Sequence, residues 1–194
     1  MSKRGPNLKK NLIKIAKNPE IELWSEDEVH FQQYGSRCRM WVPKEVKEPV
    51  LFHHPTRKSV GYFGAVNIRD GQMIFQQEQD RFNAITFLKF LKKVRNHAKR
   101  SGKKIVLLVD NARYHHAKLH REWRQEQEQV LQLLYLPPYS PDLNPIERLW
   151  KLTRRLCVHN QYFPELDSII KIVENQFKIW KKPNDTVRKL CAII

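Results

Sequence analysis

Apolar positions change their spacing several times along the chain, and each change marks an element. Between residues 8 and 16 the apolar side chains Leu8, Leu12, Ile13, Ile15 and Ala16 make a weak helical pattern inside a basic stretch. From Ile21 to Phe31 apolar and polar residues alternate loosely, which predicts a strand carrying Trp24, Asp27 and Glu28. Further strands are expected at residues 39–42, 59–67 and 72–77, with Gly71 at the turn between the last two. Phe82, Ile85, Leu88, Leu91 and Val94 repeat at helical spacing and predict a helix to Arg100 that Gly102 stops. Residues 105–110 (IVLLVD) are apolar until the last, as expected of a strand covered on both faces. A polar helical stretch from His115 to about Gln129 precedes a second apolar strand at 130–136. Pro137, Pro138, Pro141 and Pro145 then forbid regular structure. A helix is expected to start at Pro145, and another to run from about Pro164 to Trp180. Strands, helix, strand, helix, strand and helices in that order describe a mixed α/β layer architecture. No internal repeat or low-complexity tract interrupts it.

Composition agrees with one globular domain. The chain has 194 residues, 41% of them hydrophobic, enough for a buried core. No apolar run approaches the roughly 18 residues of a membrane span, and the basic N-terminus has no apolar segment of signal-peptide type behind it. Cys38, Cys157 and Cys191 lie far apart and form no C-x-x-C pair, which argues against a disulfide scaffold or a cysteine-rich zinc site. The chain therefore reads as cytoplasmic. Charge changes the picture more: 36 Lys+Arg against 20 Asp+Glu leave +16 and a pI near 9.9. A cationic surface of that size suits a polyanion, nucleic acid above all.

Three acids stand where a basic chain could use them. Asp110 follows a buried apolar strand directly, at the edge where α/β sheets bind ligands; an Asx-turn shared with Asn111 would account for it equally well. Asp27 and Glu28 lie inside a strand, where acids are disfavoured, and being adjacent they face opposite sides, so only one can point at a given site. A solvated edge strand is the plainer account of that pair. Glu147 has two readings. With Asn144 as N-cap and Pro145 at the first helical position, it could close a capping box, or it could be a ligand. Behind it Lys151 and Arg154 follow at i+4 and i+7, on one face with Glu147.

Carboxylates converging on one point repel unless a cation neutralises them. Mg²⁺ takes oxygen ligands and bridges phosphates, and a pair of such ions can activate an attacking oxygen and stabilise a leaving one. Other chemistries find less support: the chain has no G-x-x-x-x-G-K-[ST], no G-x-S-x-G and no H-E-x-x-H. His53–His54 and His115–His116 are adjacent pairs, a poor geometry for sharing a metal.

The segments WSEDEVHF (24–31), LVDNARYH (108–115) and above all LPPYSPDLNPIERLWKLTRR (136–155) resemble the catalytic domain of DDE transposases. The likeness is to the bacterial insertion-sequence branch of the mariner-type superfamily, the IS six-thirty family, and it covers about residues 21–182. It implies a ribonuclease-H-like fold, with a central mixed sheet flanked by helices. It also implies catalytic and metal-binding acids at Asp27, Asp110 and Glu147, with 36 residues between the last two. Asn111, His115, Asp142 and Asn144 belong to the same motifs as supporting residues. Two Mg²⁺ or Mn²⁺ ions, nicking of transposon ends, and joining of the freed 3′-OH to target DNA follow from the resemblance, as does a homodimer in the DNA complex. Lys92, Lys93, Lys99, Lys151 and Arg154 are expected to contact DNA phosphates.

Members of this family carry N-terminal helix-turn-helix domains that read the element's ends, whereas only about 20 residues precede the first catalytic strand here. The expected organisation is a basic arm (1–20), a catalytic domain (21–182) and a C-terminal tail (183–194). A partner reading frame would then supply end recognition, and the alternative is a non-catalytic, basic DNA-binding remnant of a transposase.

Overall fold

A computed structural model of the chain describes residues 5–47, 50, 52, 55–79, 81–138 and 143–193. Five strands form one mixed sheet: β1 (Ile21–Gln32), β2 (Ser59–Asn67), β3 (Met73–Glu78), β4 (Lys104–Val109) and β5 (Leu131–Tyr135), in the order β3-β2-β1-β4-β5. β1, β2 and β3 pair antiparallel, while β4 lies parallel to β1 and β5 parallel to β4. This is the central mixed sheet of the ribonuclease-H-like fold that the resemblance implies.

Alternation along the central strands divides the core in two. Trp24, Phe63, Ile105, Leu107 and Val109 face helix α2 (Ala84–Ser101), whose Phe87, Phe90, Leu91 and Val94 cover them. Leu23, Phe31, Tyr62, Val106 and Leu108 face the other way, against α4 (Ile146–Cys157) and α5 (Leu166–Ile179). β4 is apolar because both its faces are covered. The α2 start is fixed by Asn83, whose side chain accepts from the N–H groups of Ile85 and Thr86, and its end by Gly102 at φ 70°. Gly71, at φ 76°, makes the β2–β3 turn.

The ends of the chain join this core. Leu12 of α1 (Gly5–Lys17) is fully buried, and so are Val187 of the short helix α6 (Asp185–Leu190) and Cys191 after it. Leu12, Val187 and Cys191 thus pack described parts of the N-terminal arm and the C-terminal tail on the domain. Two elements differ from the expectation. Residues 39–42 form no strand: Trp41 is fully exposed, and with no strand paired to it among the described residues its alternation has nothing to bury. The stretch after His115 is not one helix but two 3₁₀ turns, Arg113–His116 and Lys118–His120, followed by a short α3 (Arg121–Glu126). Among the described residues no helix is long and apolar enough to cross a membrane.

Candidate active site

β1 and β4 are parallel neighbours with Ser25 opposite Leu108. Two residues beyond this last pair lie Asp27, on β1, and Asp110, just past the end of β4. Asp27 shares its parity with Leu23 and Phe31, so its side chain faces α4, where Trp150 Nε1–H donates to its Oδ2 at 3.1 Å. Room for that indole comes from Gly64, which lies opposite Asp27 on β2; a Cβ there would overlap the six-membered ring of Trp150. Burial pushes the Asp27 carboxyl up to about 8, helped by the neighbouring Glu28 and Asp110 charges and opposed by the Trp150 hydrogen bond.

The start of α4 is pinned to the same strand. Ser25 Oγ–H donates to Asn144 Oδ1, the Ile146 N–H reaches Ser25 Oγ at 3.4 Å, and Asn144 Nδ2 reaches the Glu26 carbonyl at 3.5 Å. Asn144 is therefore occupied with β1 and does not cap the helix: Pro145 holds the cap position, with no side-chain cap hydrogen bond. Glu147 consequently closes no capping box. It sits half-buried in the first turn, one turn before Trp150, where the positive helix end favours a carboxylate.

Asp110 lies just past β4 with its side chain half exposed. Its Oδ1 accepts from the Ala112 N–H at 2.8 Å, the Asx-turn geometry, and lies 2.9 Å from His115 Nδ1. The His115 bond above all, then the Ala112 N–H, holds its carboxyl below the ordinary range. His115 is fully buried, with its ring 4.3 Å from that of Phe87. Burial alone would depress its pKa; the bond to Asp110 and the nearby Glu28 and Glu26 carboxylates outweigh that and raise it to about 10. Asn111 donates from Nδ2 to the Leu136 carbonyl and ties the loop to the end of β5. Asp142 lies outside the described residues, as do His53 and His54.

The acids on either side of Asp27 go the other way. Glu26 and Glu28 face α2 and approach His115 Nε2 at 3.8 Å and 3.5 Å. Burial first, then the Glu28 charge, raises the Glu26 carboxyl well above its ordinary value. Sequence reasoning missed Glu26 and Trp150; the run of three acids and the i+3 spacing from Glu147 were the available signals. The expected DNA-contacting cations do not share one surface. Lys92, Lys93 and Lys99 ride on α2, and Lys151 and Arg154 on α4, on opposite faces of the sheet. Lys93 donates to the Phe75 carbonyl at 2.6 Å, and the Arg154 guanidinium lies 5.8 Å from the centre of the Phe31 ring.

Asp27 offers only oxygens on the α4 side, and burial together with like charges holds it toward its neutral form. A hard divalent cation such as Mg²⁺ or Mn²⁺ fits such a set, since it relieves that repulsion.

Residues 22–170 match the family model described as DDE superfamily endonuclease. The chain is 30% identical over 86 residues to the uncharacterized protein y4pE/y4sA of Sinorhizobium fredii, covering 40% of this chain and 60% of that protein. It is 29% identical over 89 residues to the uncharacterized 39 kDa protein of insertion element IS630 of Shigella sonnei, covering 46% of this chain and 25% of that one. The matches thus span less than two thirds of these relatives. Among solved structures, the Mos1 transposase paired-end complex with left transposon end superposes with a TM-score of 0.69 at 17% identity, over 96% of this chain and 55% of that one. The Mos1 mariner paired end complex with Mn gives 0.68 at 17% identity, over 98% and 59%. At that identity these two likenesses establish the fold.

Proposed function

Because the chain belongs to the DDE superfamily endonuclease family, we propose that it is the catalytic part of a bacterial insertion-sequence transposase. In this reading it cuts DNA at the element's ends and joins the freed 3′-OH to target DNA. One observation carries the reading. Asp27 and Asp110 each lie two residues beyond the Ser25–Leu108 pair of parallel β1 and β4, and Asn144 and Ser25 pin the start of the Glu147-bearing helix to β1. Asp27, Asp110 and Glu147 would hold two Mg²⁺ or Mn²⁺ ions, which in phosphodiester chemistry activate the attacking oxygen and stabilise the leaving one.

The chain's own residues do the rest. Trp150 keeps the Asp27 carboxylate aimed and partly charged, and His115 fixes the rotamer of Asp110. Asn111 ties the Asp110 segment to the end of β5, and Asn144 ties the start of the Glu147-bearing helix to β1. In the first step water attacks a phosphodiester and the 3′-oxygen leaves as a hydroxyl; in the second that hydroxyl attacks a target phosphodiester. Each step makes one P–O bond and breaks one. Lys151 and Arg154 follow Glu147 along α4 and are assigned to the backbone of the bound strand. Contacts of that kind position DNA without reading sequence. We assign catalysis to residues 21–182, recognition of specific ends to a helix-turn-helix segment supplied separately, and the working form to a homodimer on DNA.

The test is Mg²⁺-dependent nicking of a DNA end, with the end-recognition segment added, for wild type and for Asp110→Asn. Loss of a ligand should cost orders of magnitude in cleavage, while binding, which rests on the basic surface, stays level. Equal nicking by both proteins would overturn the assignment. Firm DNA binding with no cleavage by the wild type would leave a non-catalytic binding protein.

A further inference from the structure

The face of β1 turned away from Asp27 holds a second group of donors. Glu26 is fully buried, and neither of its carboxylate oxygens has a hydrogen-bond partner. Glu28 Oε1 and His115 Nε2 are likewise without one. One donor atom from each of the three residues lies within 4.8 Å of the other two. We propose that Glu26, Glu28 and His115 form a separate cation site for a borderline-soft divalent ion of the Zn²⁺ class. Its existence does not depend on whether the chain cuts DNA.

Three observations carry the assignment. The first is the edge lengths. A tetrahedral ion with bonds of about 2.0–2.1 Å sets its donors about 3.4 Å apart. His115 Nε2 lies 3.5 Å from Glu28 Oε1 and 3.8 Å from Glu26 Oε2. The second is the far side of the imidazole. A metal-ligating histidine characteristically gives its other ring N–H to a carboxylate, and His115 Nδ1 lies 2.9 Å from Asp110 Oδ1. That bond uses Nδ1 and leaves Nε2 aimed at the two glutamates. The third is the accounting of buried polar atoms. Glu26 and Glu28 present three buried oxygens without hydrogen-bond partners. An ion satisfies several at once, and unsatisfied buried oxygens are costly. The Glu28 side chain keeps 13% of its surface exposed, which gives the ion a way in and a position for water.

Nitrogen sets this site apart from the oxygen-only set around Asp27. Mg²⁺ prefers oxygen and leaves an imidazole–carboxylate site to softer ions. Occupancy would reach the neighbouring centre through one bond. With an ion on Nε2, His115 carries its proton on Nδ1 and holds the Asp110 carboxylate in one orientation. His115, Glu26 and Glu28 are in this sense positioning residues for Asp110.

The experiment uses the full chain, stripped with a chelator and titrated with Zn²⁺ while millimolar Mg²⁺ occupies the oxygen-only set. One equivalent of Zn²⁺ should bind, and Co²⁺ in its place should show the intense visible bands of a tetrahedral, nitrogen-ligated ion. Glu26→Gln should weaken Zn²⁺ by roughly tenfold or more. His115→Gln should abolish the Co²⁺ bands, and Asp27→Asn should leave them. Absence of saturable Zn²⁺ binding by the wild type, or equal affinity in wild type, Glu26→Gln and Glu28→Gln, would overturn the proposal. Should the variants fail to fold, the ¹⁵N resonance of His115 Nε2 in the wild type decides the matter. Conversion to a metal-bound shift on adding Zn²⁺ supports the site, and an unchanged protonated signal removes it.

Discussion

The indole N–H of Trp150 donates to Oδ2 of Asp27 across 3.1 Å, from a residue 123 positions later in the chain. Asp27 is a mostly buried carboxyl that burial drives toward its neutral form, and this bond is the main side-chain contact opposing the drive. Trp150→Phe keeps a ring in place and removes the donor. A hydrogen bond to a charged group contributes about 1.5 kcal/mol or more, so the Mg²⁺ concentration for half-maximal nicking should rise roughly tenfold. An unchanged Mg²⁺ dependence would mean that the indole only fills space.

Gly64 tests the same pair from the other strand. Alanine there would put its Cβ into the outer ring of Trp150. Overpacking of this kind costs about 1–3 kcal/mol, read as a lowered denaturation midpoint. The smaller ring that Trp150→Phe introduces should relieve the overlap, so Gly64→Ala and Trp150→Phe should be less than additive, with a coupling of about 0.5 kcal/mol or more. Additive losses would show that the indole does not press on Gly64.

The cations divide by face, and so should their effects. Lys151 and Arg154 follow Glu147 on α4, whereas Lys92 and Lys99 lie on α2 beyond the sheet. Lys151→Gln with Arg154→Gln should weaken binding to all DNA sequences alike and lower the slope of log affinity against log salt by about 0.9 per lost phosphate contact. Lys92→Gln with Lys99→Gln should leave nicking of a short end intact, because α2 covers the face opposite Trp150. Loss confined to one sequence in the first pair would identify base readers instead.

Much of this site could be read from the chain, and the limit was contact between distant residues. Asp110 was legible because β4 is apolar on both sides and then abruptly acidic. Asp27 and Glu28 were not separable by alternation alone; what separates them is that α4 packs on one face and α2 on the other. Whether Glu147 closes a capping box could not be decided locally, because Asn144's side chain is held by Ser25, 119 positions earlier. The strand expected at 39–42 failed for a related reason: its alternation was correct in form but no strand pairs with it among the described residues. Glu26 escaped notice because an acid next to one already matched by the family motif looks redundant until its own face of the strand is known.

Asp27 also predicts how stability depends on pH. Its folded-state pKa is raised to about 8 from an ordinary 3.8, with burial the first cause. The folded state therefore keeps a proton that the unfolded chain has released in this window. Asp27 thus contributes stability that is fully present below 3.8 and lost as pH rises through about 8. In chelator near pH 9, Asp27→Asn should be more stable than wild type by on the order of 3 kcal/mol, because the amide carries no charge to bury. The gap should close toward about pH 5, where the wild-type carboxyl is itself neutral. Mg²⁺ should narrow the gap at high pH by stabilising only the wild type, since the ion binds the folded carboxylate. Denaturant midpoints for both proteins at the two pH values, with and without Mg²⁺, measure all of this. A gap that ignores both pH and Mg²⁺ would show that Asp27 is neither strained by burial nor relieved by metal, and the centre built around it would have to be abandoned.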